Sequence, residues 1–363
     1  MEPLVLHEFH HALNAQFTEV RGLQVVGSYG DPLAEHAALR ESAGVLDFSF
    51  RSRLCLTGAD RVRFLHGQVT NDIGSVPVGE GCYAALVTAK GKMQSDLNVY
   101  CLANELLLDF EPALTGTVSQ RLEKYIVADD VQIVDVGPLY GLLSVQGPKS
   151  AAMMVALGLF HGLPDQPFAF VNVTDAALGE VYLMNQPRLG TAGFDLFVPR
   201  AAMAGLAEKL TGCVAAGGGR PCGWQAFETA RIEAGIPRFG VDMDETHFPQ
   251  ECGIESRAVS YTKGCYIGQE VLNRIHTLGH VNKELRGLRL SEELENLPLK
   301  GDKLFQAGKE VGYITSAIVS PVMSGTIALA EVRKEASAVG SDLVLKTAEG
   351  ESYARVVELP FKL

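Results

Sequence analysis

The chain lacks paired cysteines at metal-binding spacing, and it lacks any long apolar run. Its seven cysteines, at 55, 82, 101, 213, 222, 252 and 265, include no C-x-x-C. An odd, scattered set argues against a disulfide framework and implies reduced thiols, hence a cytoplasmic chain. The longest apolar run, AAMMVALGLF at 151–160, is too short to cross a bilayer, so no membrane partner is expected. No basic residue precedes Arg21, which removes the charge that a secretory or transit leader carries. Positive charge is in deficit as well: 31 Lys and Arg against 43 Asp and Glu leave a net charge of -12, which disfavours general nucleic-acid binding. The glycines of VQGPKS and AKGKMQ have neither phosphate-loop nor dinucleotide spacing, and no solenoid repeat is visible.

What is present is enough core for two or three domains: 363 residues, 47% of them hydrophobic. Helical spacing of apolar residues predicts helices in DRVRFLHGQVTND and TVSQRLEKYIVADD, and again in AAMAGLAEKLTG and WQAFETARIEAG, which both end at glycine. VQIVDV, YGLLSVQ and FDLFVP are short and rich in β-branched or aromatic residues, as strands are. The order is not a regular βαβ alternation, so the expected class is α+β. From about Leu285 the texture changes to closely spaced strands, LRGLRL, EVGYITSAI, GTIALAEV and YARVVEL, which predict a small β-barrel. The expected division is residues 1–280 and 281–363.

Two stretches carry motif-like chemistry. His7, Glu8 and His11 satisfy H-E-x-x-H, but so near the chain start and with no third ligand they read as an amphipathic helix, and no metal is expected. In YTKGCYIGQE, glycines 264 and 268 flank Cys265, and a helix is predicted to begin near Gln269. Lys263 and the positive end of that helix would favour thiolate; the plain alternative is a small buried cysteine in a tight turn.

KGCYIGQE resembles the signature of the YgfZ-like folate-binding proteins, the iron-sulfur-cluster maintenance branch of the glycine-cleavage T-protein (aminomethyltransferase) family. Further blocks resemble that family in order: AGVLDFSFRSRLCLTGADRVRFLHGQVTNDI, GCYAALVTAKGKMQSDLNVY, LLSVQGPKS, GFDLFVP, ARIEAGIPRFG and SPVMSGTIALAEV. The resemblance implies interleaved α+β subdomains around a central folate channel, closed by a C-terminal β-barrel. It implies tetrahydrofolate or a one-carbon derivative as ligand, and support of iron-sulfur clusters in client enzymes, tRNA-modifying enzymes among them, or contact with assembly proteins. The alternative it carries is a tetrahydrofolate-dependent aminomethyltransferase or demethylase.

Site residues follow from the same resemblance. Cys265, with Lys263, is implied as the working thiol. Tyr83, Asp96, Asp195, Arg231 and Gln269 are implied as folate contacts. Where the transferases have paired aspartates this chain reads Ser95-Asp96, one acid kept and one lost. Asp195 replaces a glutamate, and Phe227 stands where one of two tail-binding arginines is expected. Each position has a plainer alternative: a solvated turn for Asp96, a water-facing strand position for Asp195, core packing for Tyr83, and an intrahelical pair with Glu228 for Arg231. The basic residues after the signature, from Arg274 to Arg289, would attract an anionic tail or partner, or serve as an exposed helix and linker.

Overall fold

The computed structural model describes residues 3–291, 294 and 296–362. The chain forms two compact units, one of Met1–Ala84 with Asp96–Ala230, the other of Ala85–Ser95 with Arg231–Leu363.

The first unit holds a six-stranded sheet. Its order is Phe170–Asp175, Gly179–Asn185, Gly193–Pro199, Tyr140–Gln146, Gly44–Asp47 and Arg220–Pro221; only the last pair is parallel. The apolar stripes of two helices, Ser150–Leu157 and Met203–Ala216, bury Met154, Leu206, Leu210 and Val214 in one cluster with Val145, Leu196 and Val198. A second cluster gathers Leu46, Phe48, Leu142, Phe197 and Phe227. Phe227 sits edge-on to Phe48 at 5.0 Å, so the aromatic that replaces an expected arginine is a core residue.

A five-stranded sheet runs Gly81–Val87, Met93–Cys101, Leu106–Phe110, Ser52–Thr57 and Gln132–Asp135. The helices expected beside it are present and shorter than their apolar periodicity predicts, Arg61–Gln68 and Thr115–Glu123. After Glu123 the amides of Tyr125 and Ile126 bond back three residues, and Asp130 is tied to the loop before Arg61 by its amide to the Asp60 carboxylate. A hairpin of Gln16–Val20 and Leu23–Ser28 turns at Arg21 and Gly22, both at positive φ (52° and 83°), the geometry of a two-residue hairpin turn.

In the second unit the closed barrel has the order Lys283–Leu290, Gly325–Arg333, Lys309–Ser320, Lys303–Gln306, Asp342–Thr347 and Gly350–Val357. Leu288, Leu304, Ile314, Ala330, Leu345 and Val356 fill its interior at 0% exposure. All four strands read from the sequence lie in this barrel. Among the described residues no helix is long and apolar enough to cross a membrane.

Candidate functional site

The chemistry of the first unit is concentrated on one face of the five-stranded sheet. Side chains alternate along a strand, so residues two apart share a face. Asn98 stands opposite Asp109, and Asp109 opposite Arg53, in registered pairs. Asp109 is fully buried and accepts hydrogen bonds from Asn98 Nδ2 (2.9 Å), Arg51 Nε (2.8 Å) and Arg188 Nη2 (2.8 Å). Burial alone would push its carboxyl up; Arg51 and Arg188 outweigh that and hold it well below the usual carboxylate range. Arg51 also donates to Glu111 at 2.9 Å.

Arg188 links this face to the six-stranded sheet. Its Nε and Nη2 reach Asp195 Oδ2 at 2.9 and 2.6 Å, and Ser144 Oγ donates to Asp195 Oδ1 at 2.7 Å. Asp195 is therefore not at the water-facing position that a strand of unknown partners allows. Its strand lies inside the sheet and its carboxylate is fully buried. Burial pushes the Asp195 carboxyl up against the pull of Arg188.

Asp96 lies on the same face as Asn98 and is half-buried. Tyr83 Oη donates to its Oδ2 at 2.8 Å. Burial, reinforced by Glu111, raises the Asp96 carboxyl above its ordinary value; Tyr83 and Arg51 oppose the rise. Ser95, fully buried, points to the opposite face of the strand, where Met93 and Leu97 are also buried. An acid at 95 would not have stood beside Asp96. Beside Arg51 a cavity of about 270 Å³ is lined by Arg53, Ser49, Tyr140 and Arg200 among others.

The remaining expected residues belong to the second unit. Arg231 is 1% exposed and its guanidinium is committed to Asp242 (2.5 Å), Ser316 Oγ (2.9 Å) and the Ile236 carbonyl (3.2 Å). Lys263 is buried with its ammonium 4.9 Å from the Tyr266 ring centre. Gln269 is half-buried and opens the helix Gln269–Leu278, where the sequence places it. Gly268 has φ +87° and a Cβ there would meet the Thr88 carbonyl at 2.6 Å, so the turn requires glycine twice over. Cys265 is exposed, not the small buried residue of the plainer alternative. Three of the basic residues that follow are met by carboxylates: His276 by Glu255, Lys283 by Glu331 and Arg286 by Glu284.

Burial holds the thiols of Cys55, Cys101, Cys222 and Cys252 up, and all four are inaccessible. A short iodoacetamide pulse on the folded protein is therefore expected to label Cys265 at least about tenfold faster than any of these four, read by peptide mass spectrometry. Equal rates would contradict the exposure.

Sequence reasoning missed Arg51, Asp109, Glu111 and Arg188. A signal existed for three of them: FRSRL and LLLDFE carry charges two residues apart within apolar strands, which marks a polar stripe on a buried face.

An α+β chain with a polar stripe of paired acids and arginines, ending in a closed six-stranded barrel, defines an architectural class. Its particular membership comes from comparison. Residues 6–263 match the family model described as the GCVT N-terminal domain, and residues 283–362 match the glycine cleavage T-protein C-terminal barrel domain. The chain belongs to the glycine cleavage T-protein family. It is 32% identical over 374 residues to an aminomethyltransferase of Ralstonia pickettii, covering 98% of this chain and 96% of that protein. To the aminomethyltransferase of Shouchella clausii it is 28% identical over 358 residues, with 98% and 96% covered. The crystal structure of glycine cleavage system aminomethyltransferase T from Bartonella henselae has the same fold, with a TM-score of 0.89 at 22% identity over 99% of this chain and 98% of that one. These relatives overturn the iron-sulfur role expected from KGCYIGQE, with its client enzymes: full-length similarity runs to aminomethyltransferases.

Proposed function

We propose that the protein is a tetrahydrofolate-dependent transferase of a one-carbon unit from an amine donor, of the aminomethyltransferase type, with Asp96 at its centre. The family uses tetrahydrofolate as its one-carbon carrier. The observation that carries the proposal is the Tyr83–Asp96 pair, a carboxyl that burial raises toward holding a proton, fixed by a hydroxyl at 2.8 Å. The donor set fits a reduced pterin, whose ring edge offers N–H donors to a carboxylate and whose nitrogens take or give a proton. When bound, tetrahydrofolate supplies the nitrogen that receives the one-carbon unit.

The protein's own groups then have separable tasks. Tyr83 holds one oxygen of Asp96, leaving the carboxyl to accept from the pterin or to move a proton at the reacting nitrogen. Asp195 and Arg188 form a buried wall, because Arg188 Nε and Nη2 and both Asp195 oxygens are engaged with each other, with Ser144 and with Asp109. Arg231, committed to Asp242 and Ser316, is assigned a structural part. Cys265, with Lys263 and Gln269 around it, is proposed as a surface thiol outside the Asp96 chemistry.

Titration calorimetry with tetrahydrofolate, followed by a transfer assay with an aminomethyl thioether as donor, tests the proposal. Saturable binding is expected, and release of both ammonia and the donor's free thiol with formation of methylenetetrahydrofolate. No saturation by any reduced folate up to about 1 mM would sink it.

A further inference from the structure

We propose that Glu111 supplies, from a neighbouring strand, the second carboxylate that position 95 lacks, and acts through Asp96 as a positioning residue for its proton. The proposal rests on assigning the Tyr83–Asp96 pair as the reaction centre.

Strand register carries it. The strands Met93–Cys101 and Leu106–Phe110 pair antiparallel with Asn98 opposite Asp109, and continuing that register by two residues puts Asp96 opposite Glu111. The strand Ser52–Thr57 pairs with Leu106–Phe110 so that Arg53 is opposite Asp109, and the same step puts Arg51 opposite Glu111. The paired register ends at Asn98–Asp109 and Ser52–Phe110; one step beyond it, Asp96, Glu111 and Arg51 lie on the same face as Asn98, Asp109 and Arg53. Directly opposed side chains leave their strands about 5 Å apart, close enough for two carboxyls to sense each other's charge.

The ion pair of Glu111 with Arg51, at 2.9 Å, confirms that these two are neighbours. Glu111 is only 5% exposed, so little water screens it. The groups facing Asp96 include Tyr83 from the strand Gly81–Val87, Glu111 just after Leu106–Phe110, and Arg51 just before Ser52–Thr57. Of these three, Glu111 repels the ionised form. Tyr83 and Arg51 favour it, so removing Glu111 should leave Asp96 a stronger acid. An aspartate at 95 would point to the other face of the strand, so sequence adjacency is a poor guide to which acids form a pair.

The test is a carboxyl carbon NMR titration of the ligand-free protein, the Asp96 resonance being assigned by its loss in Asp96→Asn. In the wild type, that resonance is expected to show a second inflection at the pH where Glu111 titrates, because coupled sites titrate together. In Glu111→Gln the second inflection disappears and the Asp96 midpoint falls by on the order of one pH unit. Glu111→Asp, which keeps the charge, should retain two inflections. In the transfer assay the acidic limb of kcat follows the same shift, with KM for tetrahydrofolate changed by less than about twofold. A single inflection in the wild type overturns the proposal without any variant having to fold, as does an unmoved midpoint in a folded Glu111→Gln. A two-step curve in a protein that transfers nothing would overturn the transferase assignment and leave the Glu111–Asp96 coupling standing.

Discussion

Asparagine in place of Asp96 is expected to lower one-carbon transfer by roughly a hundred- to ten-thousandfold, the range that a positioned acid-base group contributes. The substitution keeps the shape and an acceptor for the Tyr83 hydroxyl, but an amide holds no exchangeable acidic proton at neutral pH. Stability should move the other way. A carboxyl whose folded pKa is raised binds its proton more tightly in the folded protein, so its ionisation costs stability as pH climbs through the unfolded value toward the folded one. Asp96→Asn is therefore expected to be at least as stable as wild type at about pH 8, with the advantage vanishing in acid where both side chains are neutral. Chemical denaturation at the two pH values, beside the transfer assay, checks both halves. An active variant would remove Asp96 from the chemistry. An inactive variant that is also less stable at the higher pH would mean that the carboxylate is held for structural reasons.

That combination of lost activity and gained stability is the mark of a group placed for function against the preference of its surroundings. The rest of the fold shows which placements a sequence can announce. The barrel strands were legible because they are short, closely spaced and set between glycine, proline and aspartate turns, even though Gly325–Arg333 buries Ile327 to Ala330 on both faces. Asp195 was not legible, because Gly193–Pro199 is flanked by strands on both sides and both its faces are covered. Alternation carries no information there. The hairpin at Arg21 and Gly22 escaped notice since its turn lacks the Asn-Gly or Asp-Gly pair that usually announces one, although both residues adopt the required positive φ. Tyr83 and Asp96, named through their residue types and the family resemblance, are brought together by the fold. The partner of Asp96 was sought at position 95, whereas strand parity places it across the sheet. The exposed Cys265 stood out in sequence for its glycines, and Gly268 is indeed required, yet the turn serves the entry of a helix whatever the thiol does.

Leucine at position 188 is expected to destabilise the protein by about 3–5 kcal/mol at neutral pH, the usual cost of leaving a buried charge without its partner. Arg188 bonds two buried carboxylates at once, Asp109 at 2.8 Å and Asp195 at 2.6 Å, and its side chain is 8% exposed. Without it, Asp195 keeps Ser144 as its remaining charge-relieving donor, while Asp109 keeps Arg51 and Asn98. The loss is thus concentrated on Asp195, and the pH dependence has a definite sign. In the wild type, the depressed Asp109 carboxyl gives stability that is present above the unfolded carboxylate pKa and lost as pH falls through the folded value. In Arg188→Leu both carboxyls titrate higher, so they take up protons and become tolerable as neutral buried acids at a pH where wild-type Asp109 is still ionised. The gap between variant and wild type should therefore be widest near neutrality and narrow toward about pH 4. Urea unfolding across that range measures it. The double variant Arg188→Leu with Asp195→Leu should recover part of the loss, since an apolar pair of similar volume replaces a buried ion pair at little cost. A neutral-pH difference below about 1 kcal/mol, or one that does not change with pH, would mean that the ion pair is relaxed by water in solution and is not a rigid element of the fold.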